Sequence, residues 1–229
     1  MKKRKIVILT GAGMSAESGI KTFRDSNGLW ENHRVEEVAS PEAWRSNPQL
    51  VLDFYNQRRK QLYEVNPNEG HRTLVKLEDQ FDVHIITQNV DDLHERAGSS
   101  QVVHLHGELK KVRSEHNEKL ITTLEGWELK LGDLAQDGAQ LRPHIVWFGE
   151  AVPLMNLATA LVQKADIFII IGTSLNVYPA AGLVYDAPTH CKKYYIDPHA
   201  YASQMHDVEL ITATATQGVP ALVNQLLKV

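Results

Sequence analysis

Four short polar runs, each directly following an apolar stretch, carry the residues able to do chemistry. They are Thr10-Gly11-Ala12-Gly13-Met14-Ser15-Ala16, Gln88-Asn89-Val90-Asp91, His104-Leu105-His106-Gly107 and Gly172-Thr173-Ser174. The first is a Gly-x-Gly-x-x-Ala pattern, a permitted form of the dinucleotide fingerprint, in which glycines let the backbone turn tightly and approach a pyrophosphate. A helix starting near Ser15 would aim amide N–H groups at that anion. The bare pattern is equally a glycine-rich strand-to-helix turn.

The other runs sit where α/β proteins hold ligands, at the carboxyl ends of strands. Gln88, Asn89 and Asp91 offer two amides and a carboxylate to a carboxamide and ribose hydroxyls; the alternative is an Asn/Asp cap opening a helix at Leu93. His104 and His106 are two apart and so share one side of a strand. A histidine there can serve as a general base near neutral pH or simply support the fold. Gly107 permits close backbone approach to a ligand. Gly172-Thr173-Ser174 suits phosphate or ribose.

These runs need a sheet to bring them together. Candidate strands are Ile6–Thr10, Val83–Thr87, Val102–Leu105, His144–Phe148, Asp166–Gly172, Lys193–Ile196 and Val208–Ile211, read as buried parallel strands. Candidate helices are Pro48 to about Tyr63, with Asn47 as N-cap, and Glu69–Glu78, Val152–Gln163 and Val219–Leu227. The alternation predicts an α/β fold, a Rossmann-like doubly wound parallel sheet. Residues 25–69, helical and turn-rich with no strand, and 109–142 do not alternate. They are expected to form a small inserted lobe beside a core of about 1–24, 70–108 and 143–229, within one catalytic domain.

Composition narrows the function classes. The 229 residues are 43% hydrophobic, enough for a sizeable core. A net charge of −4 gives no electrostatic case for nucleic acid. The basic start Met1 to Lys5 resembles a signal peptide, but its apolar run is too short, and no stretch reaches membrane-span length. A soluble cytoplasmic monomer is the expectation. The single cysteine, Cys191, excludes an internal disulfide and a multi-cysteine zinc site. No acidic residue ends a second strand about twenty positions beyond the glycine loop, and the next strand begins only near Val83, which argues against a hydride-transferring dehydrogenase.

Taken together, the runs from Gly11 to Ile20, Thr22-Phe23-Arg24, Gln88 to Asp91, His106-Gly107, Val146-Trp147-Phe148-Gly149-Glu150 and Gly172 to Ser174 resemble the sirtuins, in the family's order and spacing. The likeness covers nearly the whole chain and runs toward the bacterial CobB-type, class III sirtuins. It implies NAD-dependent deacylation of protein lysines, giving nicotinamide and O-acyl-ADP-ribose. It implies NAD as co-substrate, with the pyrophosphate at Gly11, Ala12, Gly13, Ser15 and Ala16. Arg24 and Gln88 would order ribose and phosphate, Phe23 would screen the reactive carbon, and Gly172, Thr173, Ser174 and Asp197 would complete the cofactor site. Asn89 and Asp91 would hold the nicotinamide end, and His106 would be the general base on a ribose hydroxyl. The segment Val146, Phe148, Gly149 and Glu150 resembles the strand that pairs with an acylated lysine peptide by β-augmentation.

In the helix after Pro48, Tyr55 and Arg58 share a face. A phenol and a guanidinium suit a carboxylate, although a tyrosine beside a solvated arginine is the plainer reading. The resemblance makes the pair a signature for succinyl- and malonyl-lysine besides acetyl-lysine. Two departures stand out. Asp197 occupies a place where the family often has asparagine. Most sirtuins also carry a cysteine quartet on a zinc-binding lobe, and residues 109–142 contain no cysteine. Ser114 stands where the first would fall, with Glu115, His116 and Glu118 nearby, so the lobe is expected to be metal-free and held by Leu120, Leu124, Trp127 and Leu131. The competing functions are an ADP-ribosyltransferase or NAD glycohydrolase on the same site, and an NAD- or ADP-ribose-binding module without turnover. Elemental analysis of the purified protein is expected to find no stoichiometric zinc, with chelators leaving the unfolding midpoint unchanged; zinc bound one-to-one and released on unfolding contradicts this.

Overall fold

The structure, a computed structural model, describes residues 3–20, 29–30, 33–200 and 207–228. In chain order the elements are β1 (Lys5–Thr10), α1 (Ala12–Ala16), β2 (Leu29–Trp30), β3 (His33–Arg34), α2 (Val35–Val38), α3 (Pro41–Ser46), α4 (Pro48–Glu64) and α5 (Glu69–Val75). There follow β4 (Asp82–Thr87), α6 (Leu93–Ala97), β5 (Val102–His104), β6 (Gly107–Ser114), β7 (Ile121–Thr123) and β8 (Leu141–Ile145). The chain ends with α7 (Met155–Val162), β9 (Ile167–Ile171), β10 (Lys192–Ile196), β11 (Val208–Ile211) and α8 (Ala215–Leu226).

Six strands form one parallel sheet in the order β11-β10-β9-β1-β4-β5. Their side chains alternate between two cores, as the two-residue period of a strand requires. Ile6, Ile8, Ile85, Ile169 and Ile196 pack against α5 and α8, through Leu74 and Val219 among others. Val7, Leu9, Ile86, Phe168 and Tyr195 pack on the other face against α7 and the 3-10 turn Ala180–Tyr185. Both faces are covered, which is why these strands are almost uninterruptedly apolar. The chain leaves β1 toward β4 and β5 on one side and later returns to β9, β10 and β11 on the other. The switch point therefore opens beside β1, at the carboxyl ends of the strands, where such sheets bind ligands. Among the described residues no helix is long and apolar enough to cross a membrane.

Three sequence readings are corrected. His144–Phe148 is not a strand of the parallel sheet: β8 ends at Ile145 and pairs antiparallel with β6 in a separate sheet, β7-β6-β8. Pro143 lies inside β8, and a residue with no N–H to donate belongs at a sheet edge rather than its centre. The stretch 25–69 does contain strands, the short antiparallel pair β2–β3. His104 and His106 do not share a strand face, because β5 stops at His104 and His106 lies in the turn beyond it. Helix limits also move. α8 begins at Ala215, a turn before Val219, and carries Pro220 inside it. The stretch after Glu69 is α5 continued by a 3-10 turn, Lys76–Asp79, and α1 starts at Ala12 rather than near Ser15. The α4 start is as the sequence reads, with Asn47 Oδ1 accepting from Leu50 N and Pro48 in the first turn.

The small lobe has its own core, in which Leu109, Val112, Leu129 and Leu141 pack against Val51, Leu52, Phe54, Tyr55 and Leu62 of α4, together with Trp147. The expected quartet is wrong in its members: Leu124 packs on this core, but Trp127 is 38% and Leu131 48% exposed, while Leu129 between them is buried. Polar anchors from α4 hold the strand-poor segment instead. Asn56 Oδ1 accepts from Leu129 N at 2.9 Å and its Nδ2 donates to Leu129 O at 2.9 Å. Arg59 is fully buried, with Nε donating to Leu109 O at 2.6 Å and Nη1 to Trp127 O at 2.6 Å and Asn56 Oδ1 at 2.8 Å. Burial lowers the Arg59 pKa to about 10, which leaves it charged at neutral pH. Ser114 Oγ accepts from the amides of His116 and Asn117, both at 3.1 Å, and donates to Asp137 Oδ2 at 2.7 Å. A hydroxyl thus gathers two loops. Among the described residues no group of three or more His, Cys, Asp or Glu could hold a metal ion.

Removing the Arg59 side chain strands the buried Leu109 carbonyl, at about 1–3 kcal/mol, and frees the half-buried Trp127 carbonyl and the Asn56 amide oxygen. Arg59→Met is therefore expected to lower unfolding free energy by ~2–4 kcal/mol in urea titration; a loss below ~0.5 kcal/mol would show that the lobe does not depend on this anchor.

Candidate active site

The loops after β1 and β9 are pressed together at the switch point. Gly13 N donates to Gly172 O at 2.8 Å and Gly11 N to Ile171 O at 3.0 Å. A Cβ on Gly13 would lie 2.7 Å from Gly172 Cα, and one on Gly172 would lie 2.4 Å from Met14 N. Gly172 also has φ +61, in the left-handed region that favours glycine. These glycines are needed for the loops to touch, a reason separate from any approach to a pyrophosphate. Thr173 fixes the β9 loop: its Oγ1 accepts from Gln88 Nε2 at 3.1 Å and Leu175 N at 3.3 Å, and its carbonyl accepts from the Tyr195 hydroxyl at 2.8 Å. Ala12 is exposed, and Gly13, Ala16, Gln88 and Ser174 are half-buried, so this edge faces solvent.

The loop after β4 is tied to the first loop by buried polar groups. Asn89 Nδ2 donates to Gly11 O at 3.0 Å and Ser15 Oγ at 3.1 Å. Ser15 Oγ in turn donates to Asp91 Oδ2 at 2.9 Å, while Asp91 Oδ1 accepts from Leu93 N at 3.1 Å. Asp91, one residue before the N-cap Asp92, thus holds the first amide of α6 and still faces the glycine loop. The two readings of this residue are not exclusive, because a carboxylate has two oxygens. Burial raises the Asp91 pKa, against its two hydrogen bonds and the positive charge of His104.

His106 lies in the turn between β5 and β6, half-buried. Its Nδ1 is 3.1 Å from the Gln88 carbonyl. A carbonyl only accepts, so Nδ1 carries the proton and Nε2 keeps a lone pair. Burial lowers the His106 pKa, which favours the neutral ring. Gly107 at φ +84 makes this turn possible, since a Cβ there would sit 2.0 Å from His144 O. The His106 carbonyl accepts from Val146 N at 2.9 Å, so the 146–150 segment starts directly behind the histidine.

That segment is braced from both sides. Phe148 N donates to Ala39 O at 3.0 Å and Trp147 Nε1 to the Tyr55 hydroxyl at 3.1 Å. Glu150 accepts from Trp147 N at 2.8 Å and pairs with Arg142 at 2.8 Å and Arg113 at 3.4 Å. Glu150 is therefore engaged in holding its own segment, whereas Phe148 and Gly149 are exposed. Tyr55 is fully buried, which raises its phenol pKa, and Arg58 beside it opposes that rise. Because the Tyr55 hydroxyl accepts from the indole, its own proton is left to donate. Asp197, at the end of β10, is buried and accepts from His199 N at 2.8 Å. Phe23 and Arg24 lie outside the described residues.

Sequence reading missed the polar floor of the site. Thr10 Oγ1 donates to Thr87 Oγ1 at 2.8 Å, Asn89 N donates to Thr87 Oγ1 at 3.0 Å, and His94 Nε2 lies 3.1 Å from Thr10 Oγ1. Each threonine closes an apolar strand, which is the only local signal; their meeting depends on β1 and β4 being in register, Thr10 opposite Thr87.

Comparison with known proteins agrees with this geometry. The Sir2 family pattern matches residues 11–179. An NAD-dependent protein deacylase of Helicobacter pylori is 57% identical over 226 residues, 98% of each chain. One of Bacteroides thetaiotaomicron is 56% identical over 230 residues, again 98% of each. A Sir2 homologue solved with NAD superposes with a TM-score of 0.87 at 38% identity, over 99% of this chain and 90% of that one. Another, a mutant solved with ADP-ribose, gives 0.88 at 38% identity, over 99% and 93%. A glycine-locked switch point, an amide–carboxylate loop and a base-competent histidine, in a chain matched along almost its whole length, place this protein in the Sir2 family.

Proposed function

We propose that this protein is an NAD-dependent protein-lysine deacylase, its substrates acylated lysine side chains of proteins or peptides. The observation that carries the reading is His106, whose Nδ1–H is committed to the Gln88 carbonyl so that Nε2 is the ring's basic nitrogen. The relatives' dependence on NAD and the NAD and ADP-ribose complexes of similar structures support NAD as co-substrate. Bound NAD supplies an electrophilic ribose carbon and a leaving nicotinamide.

The residues divide the work. The backbone of Gly11, Ala12, Gly13, Ser15 and Ala16, with Gly172, Thr173 and Ser174, receives the phosphates and ribose, and Asp197 lies toward the adenine end. Asn89 and Asp91, with Gln88, orient the nicotinamide end; Phe23 and Arg24 belong to the same site by sequence. His106 Nε2 takes the proton of a ribose hydroxyl. Val146, Phe148 and Gly149 receive the substrate backbone as an added strand, and Glu150 braces that segment through Trp147 N and Arg142. The Trp147–Tyr55 bond couples that segment to α4, so the acyl pocket and the peptide cleft keep a fixed relation. Tyr55 and Arg58 favour an acyl chain ending in a carboxylate, such as succinyl or malonyl.

His106→Ala is expected to lower kcat about 10²–10⁴-fold while NAD still binds. In wild type the acid limb of kcat, set by protonation of His106, is expected below the ordinary histidine value near 6.5, because burial depresses it. Near wild-type turnover of acyl-lysine peptide by the variant, followed by mass spectrometry, removes His106 from the mechanism. Arg58→Met is expected to lower the specificity constant for succinyl-lysine roughly tenfold to a hundredfold more than that for acetyl-lysine, since an acetyl group has no carboxylate to lose. Equal losses on both substrates would refute the acidic-acyl pocket.

A further inference from the structure

His104 takes no part in the chemistry above, yet it is 8% exposed and touches the loop that carries Asn89 and Asp91. Its Nδ1 lies 3.1 Å from the Asn89 carbonyl, and its Nε2 lies 2.7 Å from Glu95 Oε1. Both partners are acceptors. A neutral imidazole has one N–H and can satisfy only one of them; an imidazolium satisfies both. His106, two residues on, differs in this respect, because only its Nδ1 faces an acceptor.

We infer that His104 is a positioning residue for the nicotinamide end of the NAD site, an imidazolium strung between Glu95 and the Asn89 carbonyl that fixes the loop bearing Asn89 and Asp91 for as long as it keeps its proton. The inference rests on the NAD-dependent reading of this site. Pulling the Asn89 carbonyl toward β5 sets the peptide plane from which the Asn89 side chain reaches Gly11 O and Ser15 Oγ. The charge also acts on Asp91, which is buried and has Asp92 as a like-charged neighbour. Glu95 on α6 and Glu108 on β6 face the ring and favour its charge, as does the Asn89 carbonyl, and they outweigh its burial, so the His104 pKa is raised. Lys111 on β6 is paired with Glu108 at 2.6 Å, and His94 on α6 is held neutral by burial. A proton held more tightly in the folded site is lost as pH rises through the raised value. His104 therefore sets an alkaline limit to productive NAD binding, distinct from the acid limit set by His106.

Two measurements test this. Nitrogen NMR of the histidine rings near pH 7.5 is expected to find both His104 nitrogens protonated. Steady-state kinetics with NAD varied across pH are then compared for wild type, Glu95→Gln, His104→Asn and His104→Leu. Wild-type kcat/KM for NAD is expected to fall on the alkaline side. Glu95→Gln moves that limb to lower pH by about one unit or more, as loss of an adjacent opposite charge does. His104→Asn, which keeps a donor near the Nδ1 position but cannot titrate, abolishes the limb. His104→Leu raises KM for NAD about tenfold, with a smaller change in kcat, and His104→Asn recovers part of this. The acid limb stays in place throughout. If His104→Leu does not fold, the other two variants carry the test. A singly protonated His104, or an alkaline limb unmoved in both Glu95→Gln and His104→Asn, overturns the inference. Absence of turnover on any acyl-lysine peptide, with NAD binding by calorimetry still weakened in His104→Asn, sinks the deacylase reading and leaves the role of His104 standing.

Discussion

The site depends on two loops being able to touch where no side chain can fit. The loop after β1 and the loop after β9 meet through Gly13 and Gly172, with a hydrogen bond of 2.8 Å between them and room for a Cβ on neither. Everything polar at the switch point is referred to that contact. Gly11 O becomes an acceptor for Asn89, Ser15 reaches Asp91, and Thr173 receives Gln88. Protein interiors are close-packed and resist displacement. A methyl group inserted here would separate β1 from β9 at their ends and move three of the four chemical runs relative to one another.

The lobe shows another way of placing a segment that has little regular structure. One long helix supplies an amide and a guanidinium, Asn56 and Arg59, to backbone groups of Leu109, Trp127 and Leu129. Ser114 closes its turn by accepting two amides with one hydroxyl oxygen. The consequence for the site is mechanical. The same α4 carries Tyr55, bonded to Trp147, and Trp147 belongs to the segment behind His106. The lobe, Tyr55 and the turn that carries His106 are therefore linked by polar contacts.

The histidines around β4 and β5 illustrate how environment divides one residue type into different protonation states. His94 and His71 are packed ring against ring at 4.8 Å and buried, so both are held neutral, His71 with a pKa near 4. Burial lowers the pKa of His106, whose Nδ1 faces one carbonyl, whereas Glu95 and the Asn89 carbonyl raise that of His104. Desolvation favours the neutral ring, and only a nearby carboxylate outweighs it.

By itself the sequence determined the parallel sheet and its two-sided burial, because runs such as Ile6–Leu9 and Ile167–Ile171 are apolar on both faces. It also determined the residue types at the strand ends, since Gly-x-Gly, Gln-Asn-x-Asp and His-Gly are read without knowing what they face. It marked the α4 start through Asn47 and Pro48, a local effect. Tertiary structure decided what depends on partners distant in sequence. β8 leaves the parallel sheet because it pairs with β6 across a hairpin-like lobe, and the Thr10–Thr87 contact exists only once β1 and β4 are in register. Leu129 rather than Trp127 or Leu131 is buried: it packs into the lobe core, with Asn56 holding its backbone at both N–H and C=O. The difference between His104 and His106 was illegible in the chain, since both are histidines two residues apart. Their roles separate only when one ring meets Glu95 and a carbonyl and the other meets a carbonyl alone.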